Sequence, residues 1–457
     1  MQIPNGIASR IKQEYNFLRL SDRQGLFLRF TRGYFPKLKF LLLIPFLLTL
    51  SVCLRVVLLA LKPFVHIRFG RILGFQMGNH AMSMELYLCE RDSGWHPRRA
   101  FDVFYHYNRE VFNRALVNRG KSKDQVANKY LDLMMNRHVR VSEFAHTLDN
   151  LNRLLRWGSE QFYINGSPPM DQYGLLNQLP PHLVFSDEEE EMGRQALSEM
   201  GLDPDSPFVC FSARDGVWLR HAHPRITSAY GDWTLAELRN ASIENYLPAA
   251  ETLTGLGYSA IRTGKFVAAP IDCPNSQVID YATKHQSDFM DLYLAAKCSF
   301  YIAQANGVAT LPLIFRRPVA LTNIYTLAEL KNCTNEKNIC LPKLNYSHEK
   351  GRLLTFRETM DLNLGGAYEF AGLKPEVLQQ MGVEIVENTP DEIDALALEM
   401  HHSLRGEFET TKEDDELHAR LVSLVHSYPE FIHIEGGLDV HFKMCSYFLR
   451  KHPEWLD

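Results

Sequence analysis

The stretch Ser287–Ile324, SDFMDLYLAAKCSFYIAQANGVATLPLIFRRPVALTNI, constrains this chain more than any other. Phe289, Leu292, Tyr293 and Ala296 recur at i, i+3, i+4 and i+7, which predicts a helix over Asp288–Cys298. Ser287 and Asp288 stand where short polar side chains cap the free amides of a helix start. Ser299–Gln304 is an aromatic and β-branched run and reads as a strand. Asn306-Gly307 breaks it, Val308–Phe315 is apolar enough for a buried helix, and Val319–Thr322 after Pro318 reads as another strand. Helix, strand, turn, helix, strand is the alternation of a parallel α/β sheet. Ligands of such sheets sit beyond the carboxyl ends of the strands. The amides around Asn306 and Gly307, with the helix start after them, therefore have the chemistry to hold an anion.

The same alternation extends both ways. Phe64–Phe69 and Phe101–Tyr107 read as strands, and Met82–Cys89, Lys129–Met135, Phe144–Trp157 and Ser186–Met200 as helices. Gly158–Pro181 is loop-like. Phe208–Ser212, Ser259–Arg262, Val278–Tyr281 and Glu384–Glu387 are further strands, and Ile243–Leu256 is a helix. Asn345–Tyr368 reads as loop and short helix. Thr389-Pro390-Asp391-Glu392 is a helix start. The expected organisation is a membrane-associating segment over residues 1–62, a Rossmann-like domain over 63–185, a second over 186–405, and helices over 406–457 that pack back on the first domain.

The first segment carries the charge asymmetry. Arg10, Lys12, Arg19, Arg23, Arg29, Arg32, Lys37 and Lys39 precede an apolar run, Phe40–Leu61, against only Glu14 and Asp22. A basic amphipathic stretch of this kind suits an anionic membrane face. The run has roughly the 20 residues that a hydrocarbon core requires, but Pro45 and Arg55 interrupt it. It is expected either to span the bilayer or to bend at Pro45 and enter one leaflet. The rest of the chain is acidic enough to bring the formal charge to −5, which disfavours a nucleic-acid partner. Eight scattered cysteines form neither a CxxC pair nor a Cys/His knuckle, and suit a reducing compartment.

Strand ends between residues 208 and 323 gather Arg214, Asp215, Arg239, Asn240, Arg262, Lys265, Ser287, Asp288, Asn306 and Gly307, with Asp291 one turn further on. Several cations aimed at one crevice point to a diphosphate, since Arg holds phosphate oxygens bidentately. Walker A, GxGxxG and HExxH patterns are absent, which disfavours nucleotide hydrolases, dinucleotide oxidoreductases and zincins. Taken one at a time, these residues have plainer readings: Asp288 as a helix cap, each Arg as an ion-pair residue, Asn306-Gly307 as a tight turn.

Four motifs together carry a family resemblance: Arg-Asp after a strand (RDGVWL), Arg-Asn before a helix (LRNASIENYL), Arg-x-Gly-Lys (IRTGK), and Ser-Asp-Phe-x-Asp-x-Tyr-Leu with Gly and Pro downstream. The chain resembles a family of bacterial glycosyltransferases of surface-polysaccharide clusters, over residues 64–330 and more weakly beyond. The resemblance implies a GT-B-like fold, two Rossmann-like domains facing a cleft, with a nucleotide-sugar in the second. More distantly, the Arg214 loop and the Asp288 region are similar to the diphosphate and nucleoside sites of fucosyltransferase-like enzymes, which work without a metal. The family's Ile-Gly-His is here Met77-Gly78-Asn79-His80, with the histidine displaced by one position, and is followed by Glu85. His80 has the chemistry of a general base for an acceptor hydroxyl; Asp215 is the alternative. Asp203-Pro204-Asp205 has the spacing of a metal-binding DxD, but it precedes its strand and is pinned by prolines.

The reading is a metal-independent, cofactor-free glycosyltransferase at the cytoplasmic face of the bacterial inner membrane. Its partners would be a nucleotide-sugar donor, a glycan or lipid-linked acceptor and the membrane surface. Arg214, Arg239 and Lys265 would neutralise the departing diphosphate, and Ser287 and Asp288 would hold the nucleoside. The rival readings are a non-catalytic membrane-associated scaffold of a polysaccharide assembly complex and a metal-dependent phosphoryl- or lipid-modifying enzyme.

Overall fold

β-branched and aromatic runs alternate with amphipathic helices, and in the computed structural model they form the α/β arrangement that the change of period predicts. The structure describes residues 35–107, 126–164, 171, 173–217, 238–304, 306–325, 327, 336–364, 375–428 and 442–457, with side chains of the first helix from Pro45 onward. The basic stretch over residues 1–34 and the Arg-, His- and Trp-rich loop over 218–237 lie outside these residues.

In chain order the elements used below are α1 (Phe35–Leu61), β1 (His66–Ile72), α2 (Met77–Asp92), β2 (Ala100–His106), α3 (Lys129–Met135), α4 (Glu143–Leu154), α5 (Asp187–Glu199) and β3 (Phe208–Ser212). They continue as α6 (Leu247–Gly255), β4 (Ser259–Arg262), β5 (Val278–Asp280), α7 (Asp288–Lys297), β6 (Tyr301–Gln304), β7 (Val319–Ile324), β8 (Ile339–Pro342), α8 (Pro390–Arg405), α9 (Lys412–His426) and β9 (Lys443–Met444). The chain separates into two compact units. One comprises Met1–Gly70, Arg99–Tyr105 and Ser142–Ile164; the other comprises Arg71–Arg98, His106–Val141 and Asn165–Asp457.

In the first unit α1 packs on α4. Ser51, Arg55 and Leu58, spaced at i, i+4 and i+7, form the buried stripe of α1. Arg55, the charge that interrupts the apolar run, is 8% exposed. Its guanidinium donates to Asn152 Oδ1 (3.0 Å) and to the carbonyls of Asn152 (2.8 Å), Leu155 (3.2 Å) and Trp157 (2.8 Å). These acceptors lie at the carboxyl end of α4, where a helix leaves carbonyls unpaired and favours a cation. The outer face, by contrast, leaves Phe46, Val52, Val56, Val57 and Leu59 exposed. Among the described residues no helix is long and apolar enough to cross a membrane.

The second unit is built on a seven-stranded sheet in the order β9-β8-β7-β6-β3-β4-β5, every neighbouring pair parallel. All residues of β3, β4, β6, β7 and β8 are buried, as expected for a parallel sheet covered on both faces. Chain order reverses between β3 and β6. The first three strands run outward to one edge and the later four to the other, the doubly wound pattern of Rossmann sheets. Helix starts follow the sequence cues: capping boxes at Ser186/Glu189, Thr389/Glu392 and Thr411/Asp414 begin α5, α8 and α9.

Local pattern missed the internal strand β8 and two further features. A three-stranded antiparallel sheet pairs Leu344–Ser347 with Arg352–Leu353, where loop and short helix were expected, and with Val383–Val386, one residue from the strand expected over Glu384–Glu387. Its strands are short, and the pairing with Val383–Val386 is distant in sequence. Helix α2 also starts more than a turn before Met82, and Gly78 in its first turn has a packing reason given below.

Candidate active site

The reversal between β3 and β6 sets the crevice. Their carboxyl ends are adjacent, with Ser212 opposite Ala303. The chain leaves β3 through Arg214-Asp215 and β6 through Asn306-Gly307, so these two predicted turns are neighbours at the place where doubly wound sheets bind ligands. Gln304, 2% exposed, bridges the loops there. Its Oε1 accepts from the Arg214 amide (2.5 Å) and its Nε2 donates to the Arg239 carbonyl (2.7 Å). The Ala241 amide donates to the Arg214 carbonyl (3.0 Å). Arg214, Arg239 and Asn240 are thus held by backbone anchors. The sequence signal for Gln304 was a polar residue closing an otherwise apolar strand.

A lysine that local reasoning overlooked joins them. Lys343, just past β8, is 6% exposed and donates to the carbonyls of Asn240 (2.5 Å) and Leu238 (3.2 Å). Burial lowers its pKa to about 8; the nearby Arg214 charge adds to that, and Glu387 opposes it. Leu238, Asn240, Lys343, Leu378, Ile385 and Glu387 line a cavity of about 460 Å³. His348, Gln379 and Glu384 also line it, so its walls are about as polar as apolar.

The other predicted residues assemble elsewhere in the same unit. Lys265 Nζ donates to Asp288 Oδ1 (2.5 Å) and to the Ala127 carbonyl (2.7 Å). Asp288 Oδ2 accepts from the first amide of α3, Lys129 (2.7 Å), and Ser287 caps α7 through the Met290 amide (3.2 Å). Asn128, the cap of α3, donates to the Asp288 carbonyl (2.9 Å) and to Asp291 Oδ2 (3.3 Å). Partial burial of Asp291 raises its pKa to about 6 against the hydrogen bonds from Tyr281 and Gln286. This is a helix-to-helix joint between α3 and α7, and it occupies both oxygens of Asp288. Gly264, at φ +151, lets the loop after β4 turn Lys265 into that joint; a Cβ there would lie 2.7 Å from Val267. Arg262 is paired with Asp280 at 3.0 Å inside the sheet, both side chains 4% exposed. One link ties the two clusters: Asp215 Oδ2 accepts from the Ala268 amide (2.6 Å) of the loop after β4, while its Oδ1 accepts from Val217 (3.0 Å).

Helix α2 meets the switch point end-on. A Cβ on Gly78 would lie 2.8 Å from the Gly307 Cα, so main chain lies against main chain and only glycine fits. Two residues on, His80 is 1% exposed, and neither ring nitrogen has a hydrogen-bond partner among the described residues. Asp132 Oδ1, which His106 engages at 2.7 Å, lies 3.7 Å from His80 Nε2. Burial lowers the His80 pKa to about 4, against the pull of Asp132. No solvent-facing nitrogen is left to take a proton from an acceptor. The unfolded chain binds a proton near pH 6.5 that the folded chain refuses until about pH 4. The contribution is therefore fully present above pH 6.5 and lost as pH falls, by up to about 3 kcal/mol at this group. His80→Leu is expected to flatten that acid limb in urea melts at a series of pH values while retaining any sugar-transfer activity. Loss of turnover with an unchanged limb would restore the histidine as the base.

No protein-family model matches the chain, and no curated protein does. Among solved structures it is similar to the ADP-heptose LPS heptosyltransferase II of E. coli, at 14% identity over 56% of this chain and 84% of that one, with a TM-score of 0.31. It is similar to the glycosyl transferase family 9 protein from Veillonella parvula DSM 2008, at 10% identity over 74% of this chain and 98% of that one, with a TM-score of 0.35. A third is TibC of enterotoxigenic E. coli, an iron-containing dodecameric heptosyltransferase solved with ADP-D-β-D-heptose; identity is 10% over 74% of this chain and 77% of that one, with a TM-score of 0.30. All three are bacterial sugar transferases. At TM-scores this low, the chemistry has to come from this chain's own residues.

Proposed function

We propose that this chain is a GT-B-like glycosyltransferase that moves a sugar from a nucleoside diphosphate donor to a lipid-linked or growing surface glycan. The single observation that supports it most is the switch-point loop: Gln304 holds the main chain at Arg214 and Arg239, and Lys343, which lines a cavity of about 460 Å³, donates to the neighbouring Leu238 and Asn240 carbonyls. An acceptor hydroxyl attacks the anomeric carbon, the bond to the diphosphate breaks, and negative charge grows on the departing phosphate oxygen. Fixed cations stabilise that charge most where it develops, so the transfer step needs no metal. Asp215, partly exposed at the same loop, takes the hydroxyl proton. The nucleoside occupies the cavity between Leu238 and Leu378.

Nucleotide binding tests this directly. UDP, GDP, CDP and ADP are added in turn to the purified full-length chain, and one is expected to raise the melting temperature. Its affinity should fall as pH rises through about 8, where Lys343 loses its proton. Lys343→Met should weaken it about 10–100-fold, the loss of one charge-assisted hydrogen bond, and remove that pH dependence. A panel in which no nucleotide shifts the melt and no donor is hydrolysed or transferred would sink the proposal.

The outer face of α1 is read as lying on the cytoplasmic leaflet of the inner membrane. Phe46, Val52, Val56 and Val57, with Phe64, Phe144 and Trp157 of the same unit, form an unusual concentration of exposed apolar side chains. Anionic vesicles that fail to pull the protein down on sedimentation would remove this part alone.

A further inference from the structure

Two turns along α2 from Gly78, about 10 Å away, lies a second cluster that the transfer reaction does not use. Glu85 and Cys89 stand one turn apart on the buried side of α2, and His182 reaches them from the segment before α5. One donor atom from each lies within 4.8 Å of the others. Glu85 is 0% exposed, yet its Oε2 has no hydrogen-bond partner among the described residues. Its Oε1 accepts from Arg316 Nη2 (2.7 Å) and the His182 amide (3.2 Å), and lies 2.9 Å from His182 Nδ1. A bare carboxylate oxygen in the interior is costly and rare, and this one belongs to a carboxylate that shares a cluster with Cys89 and His182.

We propose that Glu85, Cys89 and His182 Nδ1 bind a divalent transition metal, zinc or iron(II), at a structural site separate from the sheet switch point. Asp92 Oδ2 lies 3.1 Å from His182 Nε2. By accepting a hydrogen bond from Nε2–H it favours the tautomer whose Nδ1 lone pair faces Glu85 and Cys89, the carboxylate–histidine–metal relay that orients ligating imidazoles. Thiolate, imidazole and carboxylate together suit zinc or iron(II) rather than magnesium or calcium. Arg316 Nη2, 3.6 Å from Cys89 Sγ, supplies the remaining balance. The ion and Arg316 together match the charges of Glu85, Asp92 and the Cys89 thiolate. Uptake displaces the thiol proton, and His182 gives up its Nδ1 proton if it carries one. The ion would clip α2 to the His182 segment.

Cobalt(II) is the probe. Chelator-stripped full-length protein titrated with Co²⁺ is expected to bind one equivalent with a near-ultraviolet thiolate-to-metal band, and zinc should abolish the band by displacement. Cys89→Ser should lose the band while its far-ultraviolet circular dichroism stays native. If that variant does not fold, Asp92→Asn serves instead; its carboxylate is half-exposed, and it should keep the band with affinity about 10–100-fold weaker. Wild-type protein without a saturable cobalt spectrum overturns the site. So does a band that persists in folded Cys89→Ser, or an affinity that Asp92→Asn leaves unchanged.

Discussion

Arg214→Ala is expected to lower sugar transfer about 10²–10³-fold, the scale on which removing one preorganised donor to a developing negative charge acts. The loss should fall mainly on kcat, because the cation does most where the leaving diphosphate gains charge. The substitution leaves the loop's main-chain supports in place. The Arg214 amide is held by Gln304 Oε1 and its carbonyl by the Ala241 amide. Arg214→Lys should recover part of the activity, since an ammonium supplies charge but not the bidentate fork. Initial rates of nucleoside diphosphate release, with nucleotide binding measured alongside, separate the two effects. An Arg214→Ala protein that transfers sugar at the wild-type rate would remove the reading that this crevice holds a leaving group, and a scaffold role would then fit better.

The parallel sheet was legible because burial on both faces leaves short, fully apolar runs between amphipathic helices. Phe208–Ser212 and Ser259–Arg262 are strands over the residues that the pattern assigns. What no local pattern carries is which strand ends become neighbours. Arg214, Arg239 and Asn306 could be picked from the chain because Arg and Asn-Gly stand out at strand ends. Their separation from Lys265, Ser287 and Asp288 depends on α3, whose Asn128 and Lys129 amide engage Asp288 from far upstream. Lys343 was passed over for the opposite reason: a lysine beside a proline looks like a surface residue until the strand before it is known to be internal. The glycine contact between Gly78 and Gly307 was likewise invisible, since neither neighbourhood names the other.

Arg55→Leu is expected to destabilise the first unit by about 3–5 kcal/mol, although it replaces a charge inside an apolar run with an apolar residue. The reason is what the guanidinium leaves behind: Asn152 Oδ1 and the carbonyls of Asn152, Leu155 and Trp157 lose their donor. Buried acceptors stripped of a charged partner cost this much. Arg55→Lys should recover only part of it, because one ammonium cannot reach four acceptors spread around the end of α4. Hydrogen exchange should show faster opening in α1 and α4 while β3, β6 and β7 keep their protection. The sign of the effect decides between two placements of α1. On a helix crossing a bilayer, exchanging Arg for Leu near the centre favours insertion by roughly 3 kcal/mol, so the variant would bind lipid more tightly and unfold less readily. A stabilised Arg55→Leu protein would therefore dislodge Arg55 from its place on α4, and with it the reading of α1 as a helix that lies on the membrane rather than through it.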